Sequence, residues 1–286
     1  MENKDTEEIR KKVSEDYARA VSSGTGCCQP KTSCCGPTDL VVPKGNAAKL
    51  AGYQKADVDG IPQDAVENSF GCGNPLAFSD VKEGQTVLDL GSGAGIDLLI
   101  AAKKVGSEGK VIGVDMTDEM IERARANIKT AGLDNVEVRK GIIEELPVDA
   151  DSVDWVISNC VINLSPEKPR VFSEIARVLR SGGTMQVSDI VVEDLPDWVK
   201  KSAEVYSACI GGAISEADYL QGVRDAGLVD VEVKERLVYE PMQVLSLVEN
   251  DVELDALLDK LGVTREQAGE ALRGNVSSIK VAARKP

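Results

Sequence analysis

Apolar positions along most of the chain alternate between short continuous runs and longer stretches with helical spacing. The short runs predict seven strands, at 86–90, 111–114, 136–139, 153–158, 184–191, 229–238 and 278–283. The longer stretches predict helices at 96–105, 118–131, 165–179, 196–227 and 243–272. Thr117 is a predicted N-cap, and Pro166 is predicted at the first position of the third helix. This alternation predicts an α/β fold, with a parallel sheet that carries helices on both faces.

The N-terminal part of the chain has a different pattern. Four apolar residues recur at every fourth position of the charged segment 2–21: Ile9, Val13, Tyr17 and Val21. This narrow stripe predicts an amphipathic helix that either docks on another part of the chain or frays. Gly, Pro and Ser then punctuate residues 22–46, which predicts a flexible arm. We therefore expect three parts: 1–66 with the helix and a Cys-rich arm, 67–194 as the core, and 195–286 with an insertion and the last strands.

Composition and charge narrow the classes of function. With 286 residues, of which 42% are hydrophobic, the chain has the length of about two average domains and can bury a core. Its net charge of −15 argues against nucleic-acid partners and against anionic membrane surfaces. No apolar run reaches the roughly 18 residues of a membrane helix. The N-terminal residues also lack the apolar centre of an export signal, so we expect a cytoplasmic protein.

Cysteine, and not histidine, is the candidate chemistry-bearing residue of this chain. Histidine is absent, which excludes Ser-His-Asp and Cys-His catalysis and His-ligated metals. The seven cysteines are Cys27, Cys28, Cys34, Cys35, Cys72, Cys160 and Cys209. In a cytoplasmic protein we expect each of them to be reduced, and to serve either as an apolar filler or as a working thiol.

A glycine-rich turn follows the first predicted strand of the core. It reads Asp-Leu-Gly-Ser-Gly-Ala-Gly over 89–95, and Asp115 follows its first glycine by 24 residues, at the end of the second strand. Glycines in such a turn let the backbone approach a ligand, and an acid at the end of the next strand suits ribose hydroxyls. Ile96 stands where a dinucleotide fingerprint requires glycine. The remaining alternative is a tight turn without a ligand.

The turn resembles the S-adenosylmethionine motif of class I methyltransferases, and the resemblance implies their Rossmann-like sheet. It implies that five residues surround the methionine part of the cofactor: Asp89, Gly91, Ser92, Gly93 and Gly95. It further implies that Asp115 holds the ribose, that Met116, Ile143 and Glu144 border the adenine, and that Asn159 closes the site.

Three cysteines are expected to converge on one rim of that site. Cys160 follows the fourth strand directly, next to the point where the first and fourth strands diverge. Cys72 lies between Gly71 and Gly73, which permit sharp turns and close approach, and Cys209 lies in the insertion after the fifth strand. Ligands of open α/β sheets bind outside the carboxyl ends of the strands, and soft thiolates select soft acceptors.

The segments around these cysteines closely resemble those of arsenite methyltransferases. The matching segments are 71–75, 87–95, 158–164, 209–213 and 278–283, together with the cysteine pair in 32–35. The resemblance implies that Cys72, Cys160 and Cys209 hold trivalent arsenic. It also implies a fourth working thiol, either Cys34 or Cys35, whereas the pair at 27–28 either captures metalloid or is a spare.

The reaction implied by this resemblance is methyl transfer from S-adenosylmethionine to arsenic, giving mono- and dimethylated arsenicals in arsenic detoxification. Arsenic bound by three sulfurs keeps a lone pair, so the nucleophile carries no proton and no general base is required. The resemblance also implies that arsenic is reduced again after the transfer, while a disulfide forms among the active cysteines. A thiol reductant such as thioredoxin or glutathione would then reduce this disulfide. The expected substrates are arsenite and methylarsenite, and we expect a monomer.

Two other functions fit part of the sequence. One is methyl transfer to another small molecule, for example a quinone or a sterol, which would leave the cysteines unexplained. The other is a thiol-rich buffer for metalloids or metals, which would bind arsenite or zinc without S-adenosylmethionine. Asp115 and the intact glycine turn argue against the buffer.

Overall fold

A computed structural model describes most of the chain. The described residues are 2–22, 53–69, 71, 73–77, 79–194, 210, 212–240, 243, 255, 258–259 and 262–286. Six of the seven cysteines lie outside them, namely Cys27, Cys28, Cys34, Cys35, Cys72 and Cys209. The predictions for these cysteines, for the arm after residue 22 and for the insertion between 195 and 209 therefore concern residues outside the described part.

Helices and strands alternate through the described core. The helices are α1 (Glu2–Ser22), α2 (Lys55–Val58), α3 (Gln63–Glu67), α4 (Ile96–Val105), α5 (Asp118–Ala131), α6 (Lys168–Val178), α7 (Glu216–Asp225) and α8 (Arg265–Ala271). The strands are β1 (Thr86–Leu90), β2 (Lys110–Asp115), β3 (Val136–Lys140), β4 (Val153–Asn159), β5 (Leu179–Val192), β6 (Val229–Val238) and β7 (Val276–Arg284). All seven predicted strands are confirmed, and Thr117 is the N-cap of α5.

The seven strands form one mixed sheet in the order β3-β2-β1-β4-β5-β7-β6. The first five in this order pair in parallel, whereas β7 is antiparallel to both β5 and β6. The expectation of a purely parallel sheet is therefore wrong at this edge. An antiparallel neighbour needs no crossover helix, which is why β7 can insert between two strands that precede it in the chain.

Helices cover both faces of the sheet, as predicted, because successive strand residues point to opposite faces. Val87 of β1 belongs to the apolar cluster under α4 and α5. Leu88, the next residue, belongs to the cluster under α6 and α7. Both side chains are fully buried, so each face of β1 contributes to a separate core. The fold is an α/β Rossmann-like sandwich of three layers.

Two continuous helices predicted for the C-terminal part are interrupted in the described residues. Residues 212–215 and 262–264 are not helical, although continuous helices were expected there. In each case a hydroxyl caps the helix that follows: Ser215 accepts a hydrogen bond from the backbone of α7, and Thr264 accepts one from Gln267 of α8. A cap of this kind satisfies an orphan N–H and marks the start of the helix.

The start of α6 also differs from the prediction. Pro166 does not open the helix, because Ile162–Leu164 forms a 3-10 turn and α6 begins at Lys168. Ser165 stabilises the intervening turn, since its hydroxyl accepts a hydrogen bond of 3.0 Å from the backbone of Glu167. The residue near the first helical position is Pro169.

The glycine pair at 182–183 lies inside β5. Gly182 donates a backbone hydrogen bond of 2.9 Å to Lys285, and Lys285 donates one of 2.9 Å to Gly183. These bonds extend the ladder beyond the end of β7. Gly182 has a φ of +77°, so it bends the strand without ending its pairing.

Phe172 provides a test of the core under α6 and α7. Its ring is 1% exposed and meets the ring of Tyr219 edge-on, with centroids 5.2 Å apart. We expect Phe172→Ala to lower the free energy of unfolding by about 3–5 kcal/mol, measured by urea denaturation, because a cavity replaces the ring. Phe172→Leu keeps most of the volume and should cost no more than about 1.5 kcal/mol. Equal losses in the two variants would contradict this packing.

Candidate functional site

The carboxyl ends of β1, β2 and β4 open into one cavity of about 110 Å³. This is the expected position, because β1 lies between β2 and β4 and the chain leaves β1 and β4 toward opposite faces. Nine of the ten residues expected at the cofactor line it, namely Asp89, Gly91, Ser92, Gly93, Asp115, Met116, Ile143, Glu144 and Asn159. The tenth, Gly95, caps the N-terminus of α4 with a φ of +94°.

The glycine turn is held against β2 by its own backbone. Gly91 and Ser92 both donate to the carbonyl of Val114, at 2.8 and 3.1 Å. Gly91 and Gly93 have φ angles of +64° and +52°, which favour glycine. A Cβ on Gly91 would also lie 2.1 Å from the side chain of Val161, the residue after Cys160. The turn after β1 and the turn after β4 are therefore in contact.

Asp115 is fixed at the end of β2 by two backbone groups. Its Oδ1 accepts from the N–H of Thr117 and its Oδ2 from that of Gly93, each at 2.9 Å. Burial raises the pKa of Asp115, and these hydrogen bonds oppose the rise. The backbone N–H of Met116 and the hydroxyl of Thr117 also donate to this carboxylate, which lines the cavity.

Three buried carboxyl groups line the cavity, and burial opposes the ionisation of each in the absence of a ligand. Burial raises the pKa of Asp89 well above its usual range, and the charges of Asp97 and Asp115 raise it further. Burial also raises the pKa of Asp97 to about 6. Within the described part of the chain, these three acids form no ion pair with Lys or Arg. Such a cluster suits a cationic ligand.

Ser92 adds a second indication of a ligand. Its hydroxyl is buried and makes no hydrogen bond to any residue that the structure describes. Buried polar atoms are rarely left unpaired in folded proteins, and a binding site is one reason for an exception. The serine lies in the glycine turn and lines the cavity.

Tyr53 and Asp97 form a pair that sequence reasoning missed. The Tyr53 hydroxyl lies 2.8 Å from both oxygens of Asp97, and the amide of Asn159 donates to that hydroxyl at 3.0 Å. Asp97 had a local signal, since it lies in the first turn of the helix after the glycine turn. Tyr53 had none, because its contact spans 44 residues of sequence.

Helix α1 closes one side of the cavity. Val13 and Tyr17 line it, which confirms that the apolar stripe docks on another part of the chain. Arg10 anchors the helix, because its guanidinium donates to Glu144 at 3.1 Å and to Glu167 at 2.5 Å. The buried carboxylate of Glu144 thus serves α1 in this structure, and its place at the adenine edge stays a prediction.

Cys160 lines the same cavity, immediately after β4. It is 4% exposed and has a φ of +60°, a backbone conformation that costs a non-glycine residue about 1–3 kcal/mol. Its backbone N–H donates to the carbonyl of Ser188 in β5 at 2.8 Å. Cys160 is disulfide-bonded in this structure, so the expected free thiol is present here in oxidised form.

Residues that follow Ser188 in β5 hold the turn after Cys160 through hydrogen bonds. The amide of Asn163 donates to the carbonyl of Ile190 at 2.5 Å, and its backbone N–H donates to the buried carboxyl group of Asp189. Tyr219 also donates to Asp189, at 3.2 Å. Burial raises the pKa of Asp189 to about 7, although the charge of Lys168 and these hydrogen bonds oppose the rise.

Metal-binding groups and membrane-spanning helices are two features of the described residues that bear on function. No group of three or more Cys, Asp or Glu residues among them could hold a metal ion, and Cys160 is the only described member of the expected arsenic ligands. None of the described helices combines the length and the apolar character needed to cross a membrane.

Known proteins resemble this chain in sequence and structure. A family model described as a methyltransferase domain matches residues 81–227. The arsenite methyltransferase of Halobacterium salinarum is 42% identical over 239 residues, covering 81% of this chain and 60% of that protein. That of Mus musculus is 32% identical over 222 residues, covering 74% and 56%. The chain thus spans about three fifths of the length of these curated relatives.

A solved structure adds to these similarities. The crystal structure of an arsenic(III) S-adenosylmethionine methyltransferase from Chlamydomonas reinhardtii is 33% identical in sequence to this chain. The two superimpose with a TM-score of 0.58, and the match covers 84% of this chain and 73% of the other.

Asp189 makes the stability of the protein dependent on pH. Its pKa is raised on folding, so its contribution is greatest at low pH and is lost as the pH rises from about 4 to about 7. Asp189→Asn stays uncharged at every pH. We therefore expect the difference in free energy of unfolding between this variant and the unmodified protein to shift by about 2–3 kcal/mol in favour of the variant from pH 5 to pH 8. Urea denaturation across this range measures the difference. Asp134→Asn, at an exposed position, is the control, and an identical profile for both variants would contradict the assignment.

Proposed function

The chain belongs to the arsenite methyltransferase family, and from that premise we propose that it transfers the methyl group of S-adenosylmethionine to trivalent arsenic held by cysteine thiolates. One observation carries the proposal. Cys160, which is a soft thiolate ligand once it is reduced, lines the same cavity as the glycine turn and Asp115. An acceptor bound there and a cofactor held by the turn would face each other without any rearrangement of the core.

The residues of the cavity fit the cofactor. S-adenosylmethionine supplies an electrophilic methyl group on a sulfonium and carries a second positive charge on its ammonium. Asp89 and Asp97 provide buried negative charge of the kind that stabilises such a cation. Asp115 lines the cavity at the end of β2 and is the proposed acceptor for the ribose hydroxyls, and Ser92 has an unpaired hydroxyl within the glycine turn.

The proposed acceptor needs no proton transfer from the protein. Trivalent arsenic with three sulfur ligands retains a lone pair, so the nucleophile is already free of protons. This agrees with a chain that has no histidine. We propose Cys72 and Cys209 as the other two ligands, with Cys34 or Cys35 as a further working thiol.

The lone pair would form the bond from arsenic to the methyl carbon as the sulfonium–methyl bond breaks and S-adenosylhomocysteine leaves. Arsenic would then be pentavalent, and oxidation of two of the cysteine thiols to a disulfide would return it to the trivalent state before a second transfer. The products would be mono- and dimethylated arsenicals, and the role of the enzyme would be arsenic detoxification.

Alignment and exclusion of water are then the main contributions of the protein. Cys160 is 4% exposed, and α1 covers the cavity next to it. The backbone of Cys160 has a positive φ and is held by its hydrogen bond to Ser188 in β5. The Cα atom from which the thiol side chain extends is therefore fixed in position. A well-oriented pair of reactants can save about 7–11 kcal/mol of an activation barrier.

A thiol reductant is part of the proposed cycle. In its disulfide form Cys160 has no thiolate to offer to arsenic. Two equivalents of a thiol, or one dithiol such as reduced thioredoxin, would reduce that bond to two protein thiols and leave the reductant as its own disulfide. Glutathione is the other candidate. A cytoplasmic location would supply both, and we propose that the enzyme acts there as a monomer.

A turnover assay tests the proposed function directly. Reduced, purified protein is mixed with S-adenosylmethionine, arsenite and excess thiol, and the arsenic species are separated by mass. We expect methylated arsenic that requires both the cofactor and the thiol. Binding of arsenite without methyl transfer would instead support the buffer function, and absence of both would move the search to organic acceptors.

Cys160→Ser separates the acceptor side from the cofactor side. We expect methylation of arsenite to fall by about 100-fold or more, because one of the soft ligands is lost. The affinity for S-adenosylmethionine, measured by calorimetry, should stay within about twofold, since the glycine turn is intact. The double variant Cys27→Ser, Cys28→Ser is the control and should retain activity at saturating arsenite. Undiminished methylation in Cys160→Ser would exclude this thiol as a ligand.

Asp115→Asn tests the cofactor side. Asparagine retains one acceptor oxygen, but its amide group opposes one of the two backbone donors that hold Asp115. We expect the dissociation constant for S-adenosylmethionine to rise about 10- to 100-fold, the size of one charge-assisted hydrogen bond. Asp118→Asn, three residues on, removes an exposed ion pair with Lys140 and should leave the constant unchanged. The same constant in both variants would argue against a ribose contact.

A further inference from the structure

The side chain of Asn159 is joined to the backbone of Gly73 by a pair of hydrogen bonds. Its Oδ1 accepts from the N–H of Gly73 at 3.1 Å, and its Nδ2 donates to the carbonyl of the same residue at 2.5 Å. Asn159 is the residue before Cys160, and Gly73 is the residue after Cys72. The two bonds therefore link the chain segments that carry these two cysteines.

Close packing restricts both neighbours of Cys72 to glycine. A Cβ on Gly71 would lie 2.1 Å from the Nδ2 of Asn159. A Cβ on Gly73 would lie 1.8 Å from the hydroxyl of Ser188. Each distance is too short for any side chain, so these glycines lie directly against Asn159 and Ser188. Cys72 itself lies outside the described residues, whereas Gly71 and Gly73, the two residues bonded to it, lie within them.

The same two residues also hold Cys160. Asn159 is bonded to it covalently, and the carbonyl of Ser188 accepts its backbone hydrogen bond of 2.8 Å. One short stretch of β4 and β5 is thus the common support of both cysteine segments. A shift of either support would change the distance between the peptide bonds to which the two cysteines belong.

The donors of Asn159 are already in use without any cofactor contact. An asparagine amide has two N–H groups and one carbonyl oxygen. One donor position serves Gly73, and the other faces the hydroxyl of Tyr53 at 3.0 Å and Asp97 at 3.3 Å. A cofactor that took a donor from Asn159 would have to displace one of these partners.

We propose that Asn159 is a positioning residue, which sets the segment of Cys72 against Cys160 so that both thiols can reach one arsenic atom. This role rests on the proposed function, because it assumes that the two cysteines share a ligand. It replaces direct contact with the cofactor as the main task of Asn159. A misplacement of about 1 Å between reacting groups can cost about 100-fold in rate. We therefore expect the rate of methyl transfer to depend strongly on the two hydrogen bonds between Asn159 and Gly73.

The test uses the full chain with only two thiols, Cys72 and Cys160. The other five cysteines are changed to serine, and the protein is reduced. The probe is phenylarsine oxide, whose arsenic takes two thiols, and calorimetry measures its affinity and that of S-adenosylmethionine. We expect Asn159→Ala in this background to weaken phenylarsine oxide at least tenfold and to change the affinity for S-adenosylmethionine by less than twofold.

Tyr53→Phe is the matched control. It removes the hydroxyl that accepts from Asn159 and leaves both bonds to Gly73 in place. We expect it to bind phenylarsine oxide as the two-cysteine parent does. Asn159→Asp keeps the size and one acceptor of the side chain but loses a donor, so we expect an intermediate loss. It also provides the comparison if the alanine variant does not fold.

The outcomes separate this role from the proposed function. If the two-cysteine parent does not bind phenylarsine oxide, Cys72 and Cys160 do not share a ligand and the proposed arsenic site is wrong. If the parent binds and Asn159→Ala binds equally well, the site stands and the positioning role is overturned. If Asn159→Ala weakens only S-adenosylmethionine, Asn159 is a cofactor residue, as the family resemblance implies.

Discussion

The pairing of β1 with β4 is the constraint on which the site depends. The two strands are adjacent and parallel, with Leu90 opposite Ser158 at their carboxyl ends. The chain after β1 enters α4 on one face of the sheet, and the chain after β4 leads to α6 on the other. Two turns must therefore separate at this point, and a crevice opens between them. Because Gly91 has no side chain, these turns can touch through Val161, which keeps the crevice narrow.

The second consequence of this arrangement is electrostatic. Asp89 is the penultimate residue of β1 and Asp115 is the last residue of the neighbouring parallel strand β2, whereas Asp97 lies in the helix that follows β1. Burial raises the pKa of all three, so folding holds these groups in an environment that opposes their ionisation. A cation bound in the cavity offsets that cost and stabilises the folded state by mass action. The same groups thus reduce the stability of the free protein and increase the affinity for a positively charged ligand.

Local patterns predicted the parts of the structure that depend on neighbours in sequence. The strands, the glycine turn, Asp115 at the end of β2 and Cys160 after β4 all follow from periodicity or from a short motif. Contacts between distant segments left no such signal. Tyr53 reaches Asp97 across 44 residues, and Asn159 reaches Gly73 across 86. The antiparallel insertion of β7 is missed for the same reason, because strand order depends on tertiary pairing and not on the pattern within a strand.

Because of these distant contacts, two parts of the chain form the site together. The methyltransferase model matches residues 81–227, which contain the glycine turn, Asp115 and Cys160. The residues that line the cavity from outside that range are on α1 and in the segment from Ala65 to Gly71. A common core can hold one cofactor in many enzymes, whereas the acceptor depends on what is built around it. The described N-terminal segments lie against the end of β4, so the site is completed by residues that the common core does not contain.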